Sequence, residues 1–349
     1  MKTAIVHTSS LPTRRVRRKG SVRNSSKVRL TLACGDYDIN LGLLNGSVKP
    51  EGVELIPLAL PSPERHWRMI RSQEFDVCEL SLGSYLMLRD QALLPLIAIP
   101  VFPHRRFRHS YIFVNGHAGI RVPKDLEGRR VGIRTWQTTA GVWTRGILEE
   151  YYSVDLSRIH WLRQDEEDIP SVSPPAFDIV QLPHDQNLSD MLAAGDIDGL
   201  IYPETPSCFK RGAPTVRRLF ADPKAEEQQF YRDTGLFPLM HTVVIREAVL
   251  EAYPWIGTAL VKAFQTSKEL ALQRLQDPRR ISLAWIQSLL EEQVALMGKD
   301  PWSYDFCANR VGLETLIRYA HGQGLIRSLL RPEDLFYPPA LHVMPLGYV

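Results

Sequence analysis

The feature that most constrains this chain is a repeating order of short apolar segments and helical segments, separated by turn residues. Segments 28–33 and 52–58 have the apolar composition of strands, and Ser62 and Pro63 suit the start of a helix. Strands that alternate with helices form mainly parallel sheets covered by helices on both faces. The chain is therefore predicted to be an α/β protein.

A second set of elements repeats this order, and 349 residues suit about two domains. Strands are predicted at 130–134, 158–162, 177–181 and 198–202, and helices at 138–151 and 187–194. Segment 240–246 is predicted to lead back to the first set, after which helical periodicity dominates. We therefore assign 28–113 plus 242–349 to lobe one and 114–241 to lobe two. Ligands of open α/β sheets bind beyond the carboxyl ends of strands, so we expect a binding cleft between the lobes.

Charge sets residues 1–27 apart from the rest. They carry eight basic side chains and no acidic one, whereas the whole chain has a net charge of only +3, so the remainder is mildly acidic. An acidic body is a poor partner for nucleic acid, and the basic segment is predicted to be a disordered tail. No apolar run follows the basic residues or approaches the roughly 20 residues that cross a bilayer. We therefore expect a cytoplasmic protein without a membrane partner.

The sequence offers no metal motif and no nucleotide motif. Glycine-rich phosphate-binding patterns are missing, and the acidic run 165–168 before Pro170 is interpreted as a solvated loop rather than an ion site. The cysteines are too scattered for zinc and are predicted to be reduced thiols: Cys34, Cys78, Cys208 and Cys307. We expect neither a metal nor a cofactor.

Several motifs recur together in one known family. They are Gly35-Asp36-Tyr37-Asp38, Pro206-Ser207-Cys208-Phe209 and Trp302-Ser303-Tyr304, with segments 74–81, 99–103, 107–110, 234–242 and 308–310. Because it contains these motifs as a set, the chain resembles the 4,5-dihydroxyphthalate decarboxylase family. The resemblance implies the two-lobed fold of periplasmic substrate-binding proteins (type 2). It also implies non-oxidative decarboxylation of a hydroxylated aromatic acid without an organic cofactor, so the small-molecule partner is an aromatic carboxylate.

Decarboxylation of an electron-rich ring needs an acid for the ring carbon, an acceptor for the phenol proton and donors that hold the carboxylate. His241 is the first candidate for the acid, because it lies where the chain crosses between lobes and because histidine titrates near neutral pH. Asp36 and Glu79 follow predicted strands, and either could accept the phenol proton or orient a histidine. Alternatively, Asp36 caps a turn and Glu79 caps the helix that begins near Ser81.

Residues 108–115 are predicted to form a strand, whose alternation separates Arg108 and Ser110 from His109. Both faces can reach one ligand only at the frayed start of the strand. We expect His109 and Ser110 to line the site, with Arg105 and Arg108 as donors to the carboxylate. The alternative for this basic segment is a solvated loop.

In lobe two, the segment after the first predicted strand opens a helix, whose free backbone amides suit a carboxylate. Gln137 and Thr139 fit the family pattern, and Thr138 adds a hydroxyl group. Ser81 and Tyr202, both close to the ends of predicted strands, complete the predicted substrate-binding residues. Ordinary helix capping is the alternative role for the threonine hydroxyls.

Two positions depart from the family pattern. Ile39 stands where the family has an arginine shortly after Gly-Asp-Tyr-Asp, and Glu204 lies near the position of another arginine. Losing bidentate arginine–carboxylate contacts would weaken the binding of a dianion. A mono-carboxylated phenol or catechol is therefore at least as good a candidate substrate as 4,5-dihydroxyphthalate.

Two other functions remain open. One is a solute-binding protein that delivers an aromatic carboxylate to a transporter, and the other is a sensor or enzyme for a different cyclic carboxylic acid. The missing export signal argues against the first, because such a protein works outside the cytoplasmic membrane. A homo-oligomer also remains open, since no sequence feature decides the number of subunits.

Overall fold

The structure is a computed structural model that describes residues 27–170 and 176–343. The basic segment interpreted as a disordered tail lies, apart from Lys27, outside the described residues, as does most of the predicted loop at 169–175. Within the described part, no helix is both long enough and apolar enough to span a bilayer.

The described residues form eleven strands and eleven α-helices. The strands are β1 Val28–Cys34, β2 Val53–Ala59, β3 Val77–Ser81, β4 Leu96–Ile99, β5 Ile112–Asn115, β6 Arg130–Ile133, β7 His160–Arg163, β8 Ile179–Gln181, β9 Gly199–Ile201, β10 Val216–Arg218 and β11 His241–Arg246. The helices are α1 Leu41–Leu44, α2 Ser62–Ser72, α3 Leu82–Asp90, α4 Thr139–Glu150, α5 Leu188–Ala194, α6 Ser207–Lys210, α7 Pro223–Thr234, α8 Glu247–Ala252, α9 Ile256–Leu275, α10 Ile286–Met297 and α11 Phe306–Gly322.

The strands form two separate sheets, one in each lobe. The first has the order β2-β1-β3-β11-β4 and the second the order β10-β5-β9-β6-β7-β8. Every residue of β3 is buried, as expected for a central strand covered on both faces. The predicted α/β class and two-lobed architecture are confirmed.

The sheets are mixed rather than mainly parallel, because the strands that follow the two crossings run against their neighbours. β11 is antiparallel to β3 and β4, and β5 is antiparallel to β9 and β10. The other pairs, including β1 with β2 and β6 with β7, are parallel as predicted. β5 lies in the second sheet, so the first crossing falls between Ile99 and Ile112, earlier than the expected position near residue 114.

Packing of α4 against the first lobe fixes the lobes relative to each other. The Trp143 indole donates to the carbonyl of Leu239 at 2.8 Å, and Arg145 donates to the side chain of Gln323 at 2.8 Å. Gly146 lies so close to the Tyr319 ring that any Cβ atom there would overlap it. The cleft between the sheets is therefore bounded by a tightly packed contact.

Candidate active site

A cavity of about 780 Å³ lies between the two sheets. The first lobe and its crossing segment contribute, among others, Tyr37, Ser62, His66, Trp67, Ser81, His104, Arg106, Arg108, Met240 and His241. The second lobe contributes, among others, Arg134, Gln137, Thr138, Thr139, Asp165, Glu166, Asp168 and Glu204. Ser81 ends β3, and its antiparallel partner His241 begins β11. The cavity therefore lies at the carboxyl end of β3, where ligands of open α/β folds bind.

Glu79 contacts the His241 ring on the side away from the cavity and is not part of the cavity lining. His241 Nδ1 lies 2.5 Å from Glu79 Oε1. Glu79 is fully buried and accepts further hydrogen bonds from the Gly35 amide (2.7 Å) and the Tyr37 hydroxyl (3.0 Å). The buried guanidinium of Arg65 forms a salt bridge with the same Oε1 at 2.6 Å. A carboxylate with this many donors is held in one position and orients the imidazole in turn.

The contact with Glu79 fixes the tautomer of His241. A carboxylate oxygen accepts, so Nδ1 carries the hydrogen and donates it to Glu79. Burial, followed by the charges of Arg65 and Arg106, lowers the pKa of His241 well below its usual range. The ring is therefore neutral. Its Nε2 has no hydrogen-bond partner among the described residues, so His241 accepts a proton before it can donate one.

Two further imidazoles lie around His241 at the cavity wall. The ring centroids of His66 and His104 are 4.9 Å and 4.7 Å from that of His241, and both contacts are edge to face. Burial lowers the pKa of both residues, that of His104 to about 2. His66 Nε2 and His104 Nδ1 have no partner within the described chain. Both of these nitrogens are buried, so the two rings form part of the cavity wall without presenting these atoms to a ligand.

Positive charge reaches the cavity through alternate residues of one extended segment. His104, Arg106 and Arg108 line the cavity, whereas Arg105 points away and donates to the carbonyl of Ser303 at 2.6 Å. Successive side chains of an extended chain point to opposite sides, which explains this division. The expected carboxylate donor Arg105 is thus a structural anchor, and Arg106 takes its place in the cavity.

Arg106 and Arg108 form no salt bridge with any described residue. Arg108 is 2% exposed, donates to the carbonyl of Tyr202 at 2.8 Å and stacks on the Tyr111 ring. Burial lowers the pKa of Arg108 to about 9, as expected for a cation without a counter-charge. An anionic ligand would supply that charge.

The wall formed by lobe two contains the predicted threonines. Thr139 Oγ1 lies 2.7 Å from Ser81 Oγ, and Thr138 Oγ1 contacts the Thr135 hydroxyl. These hydroxyls line the cavity while also joining the lobes or the turn before α4.

Two of the backbone amides that precede α4 are already occupied. Trp136 and Gln137 donate to the carboxylate of Glu167 at 2.6 Å and 3.0 Å. The Gln137 side chain bonds to Asp168 and to the Ile169 amide. The amide groups of Trp136 and Gln137 are therefore filled by the protein itself.

The acidic run 165–168 is not the solvated loop that its composition suggested. Asp165, Glu166 and Asp168 line the cavity, and Asp165 forms a salt bridge with Arg134 at 2.7 Å. Burial raises the pKa of Asp168. This side of the cavity is acidic, so the cations without a partner are concentrated on the opposite side.

Two residues expected to line the site, His109 and Ser110, lie outside the cavity. Residues 109–111 form a 3-10 turn before β5 rather than the start of a strand. The turn places His109 among the rings of Tyr152, Phe220 and Phe230, where burial lowers its pKa to about 4. Both the amide and the hydroxyl of Ser110 donate to Glu227, at 2.9 Å and 2.7 Å.

Asp36 and Tyr202 also differ from expectation. The Asp36 side chain is exposed and does not line the cavity, because the turn after β1 directs the next residue, Tyr37, toward Glu79 instead. Tyr202 contributes through its backbone carbonyl, which accepts from Arg108.

The two departures from the family pattern have different consequences. Ile39 is buried outside the cavity, and its carbonyl accepts a hydrogen bond from Ser267. Glu204 lines the cavity on the acidic side, and its charge acts on Arg134. Only Glu204 therefore bears directly on a ligand.

The sequence did not identify Tyr37, Arg65, His66, His104 or Arg106 as parts of this site. One signal was available, since α2 is amphipathic yet carries Arg65 and His66 on its buried face. Another was the alternation of basic residues at 104, 106 and 108.

The described part of the chain shows no group of three or more His, Cys, Asp or Glu residues that could hold a metal ion. All four cysteines are free, and three of them are buried.

Comparison with known proteins identifies the family. No protein-family model matches the chain. The 4,5-dihydroxyphthalate decarboxylase of Comamonas testosteroni is 41% identical over 324 residues, which cover 90% of this chain and 98% of that protein. The Pseudomonas putida protein of the same name is 38% identical over 213 residues, 59% of this chain and 83% of that one.

One solved structure shares the fold at low sequence identity. A protein of Archaeoglobus fulgidus superposes with a TM-score of 0.52 and 14% identity over 85% of this chain and 98% of that one. A periplasmic sulfonate-binding protein of Methylobacillus flagellatus gives a TM-score of 0.49 and 15% identity over 90% of this chain and 93% of that one. With 41% identity across 90% of its length to the Comamonas protein, the chain belongs to the 4,5-dihydroxyphthalate decarboxylase family and is a carboxy-lyase.

Proposed function

We propose that the protein releases CO2 from a hydroxylated aromatic carboxylate, without an organic cofactor, by protonating the ring carbon that bears the carboxylate. One observation carries the proposal. The oriented, neutral imidazole of His241 lines the same cavity as two arginines that have no salt-bridge partner among the described residues, Arg106 and Arg108. The first supplies proton transfer and the second supplies anion binding.

His241 acts first as a base and then as an acid. Nε2 takes the proton of a phenol ortho or para to the carboxylate, and Glu79 stabilises the resulting imidazolium through Nδ1. The phenolate raises electron density at the carboxylated carbon, which takes the proton from His241 directly where the phenol is ortho and by way of a water molecule where it is para. The bond to the carboxylate then breaks, its electron pair returns to the ring, and CO2 leaves. Solvent reprotonates the phenolate, so one proton is consumed for each CO2 released.

An aromatic ring with two adjacent carboxylates and two adjacent hydroxyls matches the charged groups and the proton-transfer group of the cavity. Arg106 and Arg108 suit the carboxylates, and Nε2 of His241 suits a hydroxyl. The substrate in the names of the two relatives, 4,5-dihydroxyphthalate, has this pattern. A mono-carboxylated catechol is the second candidate, favoured by the negative charge of Glu204 at the cavity.

The test is CO2 release from a panel of hydroxylated benzoates and phthalates by the purified protein. We expect turnover of 4,5-dihydroxyphthalate or of a mono-carboxylated catechol, and none of phthalate, which lacks the activating hydroxyls. Tight binding of all panel members with no CO2 from any of them would instead support a solute-binding protein. Glu204→Gln separates the two substrates, because it should improve KM for the dianion more than for the monoanion.

A further inference from the structure

Arg65 is a buried cation that has no direct route to the ligand. It lies on α2 behind His241, is 1% exposed and is not part of the cavity lining. Its guanidinium donates to the carbonyls of Leu60 (2.7 Å) and Glu79 (3.1 Å), in addition to the salt bridge with the Glu79 carboxylate. Its Nη2 also lies 3.4 Å from His241 Nδ1. Any effect of Arg65 on the ligand must therefore pass through its neighbours, Glu79 with His241 or Tyr37, whose hydroxyl accepts from Arg65 at 3.3 Å.

The charges of this cluster decide which form His241 adopts. While Arg65 and Glu79 neutralise each other, protonation of His241 would leave a buried positive charge without compensation. In the absence of Arg65, the same protonation would create a favourable imidazolium–carboxylate pair. Arg65 thus opposes the effect that Glu79 alone would have on the imidazole.

The other groups that face His241 do not replace Arg65. His66 and His104 are neutral rings, and the Arg106 side chain is exposed, so that solvent screens its charge. Tyr37, on the turn after β1, contacts Glu79, and burial together with Glu79 raises the pKa of Tyr37 to about 12. It therefore remains an uncharged donor.

We propose that Arg65 is a positioning residue that keeps His241 neutral, with hydrogen on Nδ1 and the lone pair of Nε2 available to the substrate. The kinetic consequence rests on the proposed function, because a neutral ring is what accepts the phenol proton. The electrostatic effect does not depend on it, because the charge of His241 is a property of the ligand-free protein.

The first experiment is ¹⁵N NMR of the histidine rings in the ligand-free protein, with His241 assigned from the spectrum of His241→Gln. In the wild type we expect the neutral, Nδ1-protonated form throughout a titration from about pH 8 to about pH 5.5. In Arg65→Gln, His241 should become protonated at a pH at least about one unit higher than in the wild type.

Two matched variants separate charge from packing. Arg65→Lys keeps the positive charge beside Glu79 and should restore the neutral form. Arg68→Gln makes the same change as Arg65→Gln one turn further along α2, where the side chain pairs with Glu64 and Glu74 on the surface, and should leave His241 unaffected. Loss of the neutral form in Arg65→Lys as well would point to packing and contradict the proposal.

The second experiment is the pH profile of kcat/KM. The acid limb should move upward in Arg65→Gln by the same amount as the NMR titration and return in Arg65→Lys. If Arg65→Gln does not fold, the wild type still decides, because an imidazolium signal of His241 near neutral pH would overturn the proposal. If the NMR shift is observed but the wild type releases no CO2, the proposed function fails and the role of Arg65 stands.

Discussion

A histidine can transfer a proton to a ligand only where one ring nitrogen is oriented by the protein and the other reaches the cavity. His241 meets both conditions through Glu79 and the cavity lining. His109 meets neither, since both of its ring nitrogens are buried without a partner among the described residues. The same residue type therefore serves chemistry at one position and packing at the other, and each role can be tested.

His241→Gln should lower kcat by about 10²- to 10⁴-fold, the usual contribution of a general acid–base group. KM should change little, because the arginines that hold the carboxylate remain in place. The measurement is steady-state CO2 release. His117→Gln, the same change at an exposed histidine outside the cavity, should behave like the wild type. A wild-type kcat in His241→Gln would remove His241 from the mechanism.

His109 should make the protein less stable in acid. Its pKa is lowered to about 4 by burial and by Arg108, whereas an unfolded histidine titrates near about 6.5. Between these values the unfolded chain binds a proton that the folded chain does not, so stability falls as the pH decreases from about 6.5 toward about 4.

His109→Phe removes this titration while keeping a ring among Tyr152, Phe220 and Phe230. The variant should gain about 2 kcal/mol more unfolding free energy at pH 5 than at pH 8. Urea unfolding at the two pH values measures the difference. An equal change at both would show that His109 does not titrate in this window.

At the level of elements, α4 of the second lobe packs directly against the first lobe and so adds to the connection made by the two crossings. It meets α11 at Gly146, and Thr139 at its start bonds to Ser81 at the end of β3. A glycine at the α4–α11 contact allows the Tyr319 ring to lie against the helix backbone. The position of the lobe-two wall of the cavity thus depends on how α4 packs against the first lobe.

Gly146→Ala should destabilise the protein by about 1–3 kcal/mol, because the added methyl group overlaps the buried Tyr319 ring. Gly322→Ala, in the partner helix α11, is the matched control, since nothing lies within 4 Å of its Cβ position. It should instead stabilise by about 0.4–1 kcal/mol through the unfolded chain. Urea denaturation compares the two, and a loss of equal size in both would exclude the contact as the cause.

The sequence predicted most elements because their signals are local. The strands at 130–133 and 160–163 and the helix after Asn187, which ends at Gly195, lie within two residues of their expected bounds. Residues 109–111 form a 3-10 turn, but they were assigned to a strand because they directly precede the apolar start of β5. That single turn moved His109 and Ser110 away from the cavity.

The site was predicted less completely than the fold, since its members meet only in three dimensions. His241, Arg108 and Thr139 follow from their place at crossings and element ends. His66 and His104 come from different segments, and their meeting with His241 depends on how α2 packs beside β11. No spacing in the sequence encodes that contact.

For the whole molecule, the distribution of charge in the cleft matters more than the net charge. Arg134 is paired with Asp165, while Arg106 and Arg108 have no salt-bridge partner among the described residues. Arg108 joins the crossing segment to the second lobe through its hydrogen bond to the carbonyl of Tyr202. An anion that binds the two arginines therefore stabilises the region where the lobes meet. Ligand charge should therefore determine how strongly a ligand stabilises the fold.

Thermal unfolding with saturating ligands tests this prediction. A ligand present at about 100 times its Kd contributes about 2.7 kcal/mol, so Tm should rise with phthalate, less with benzoate at equal concentration, and least with uncharged catechol. Arg106→Gln combined with Arg108→Gln should abolish the difference between phthalate and catechol. Arg211→Gln, which removes a surface arginine paired with Asp190, should preserve it. If catechol stabilised the wild type as well as phthalate does, contacts with the ligand hydroxyls rather than with the arginines would dominate ligand binding in the cleft.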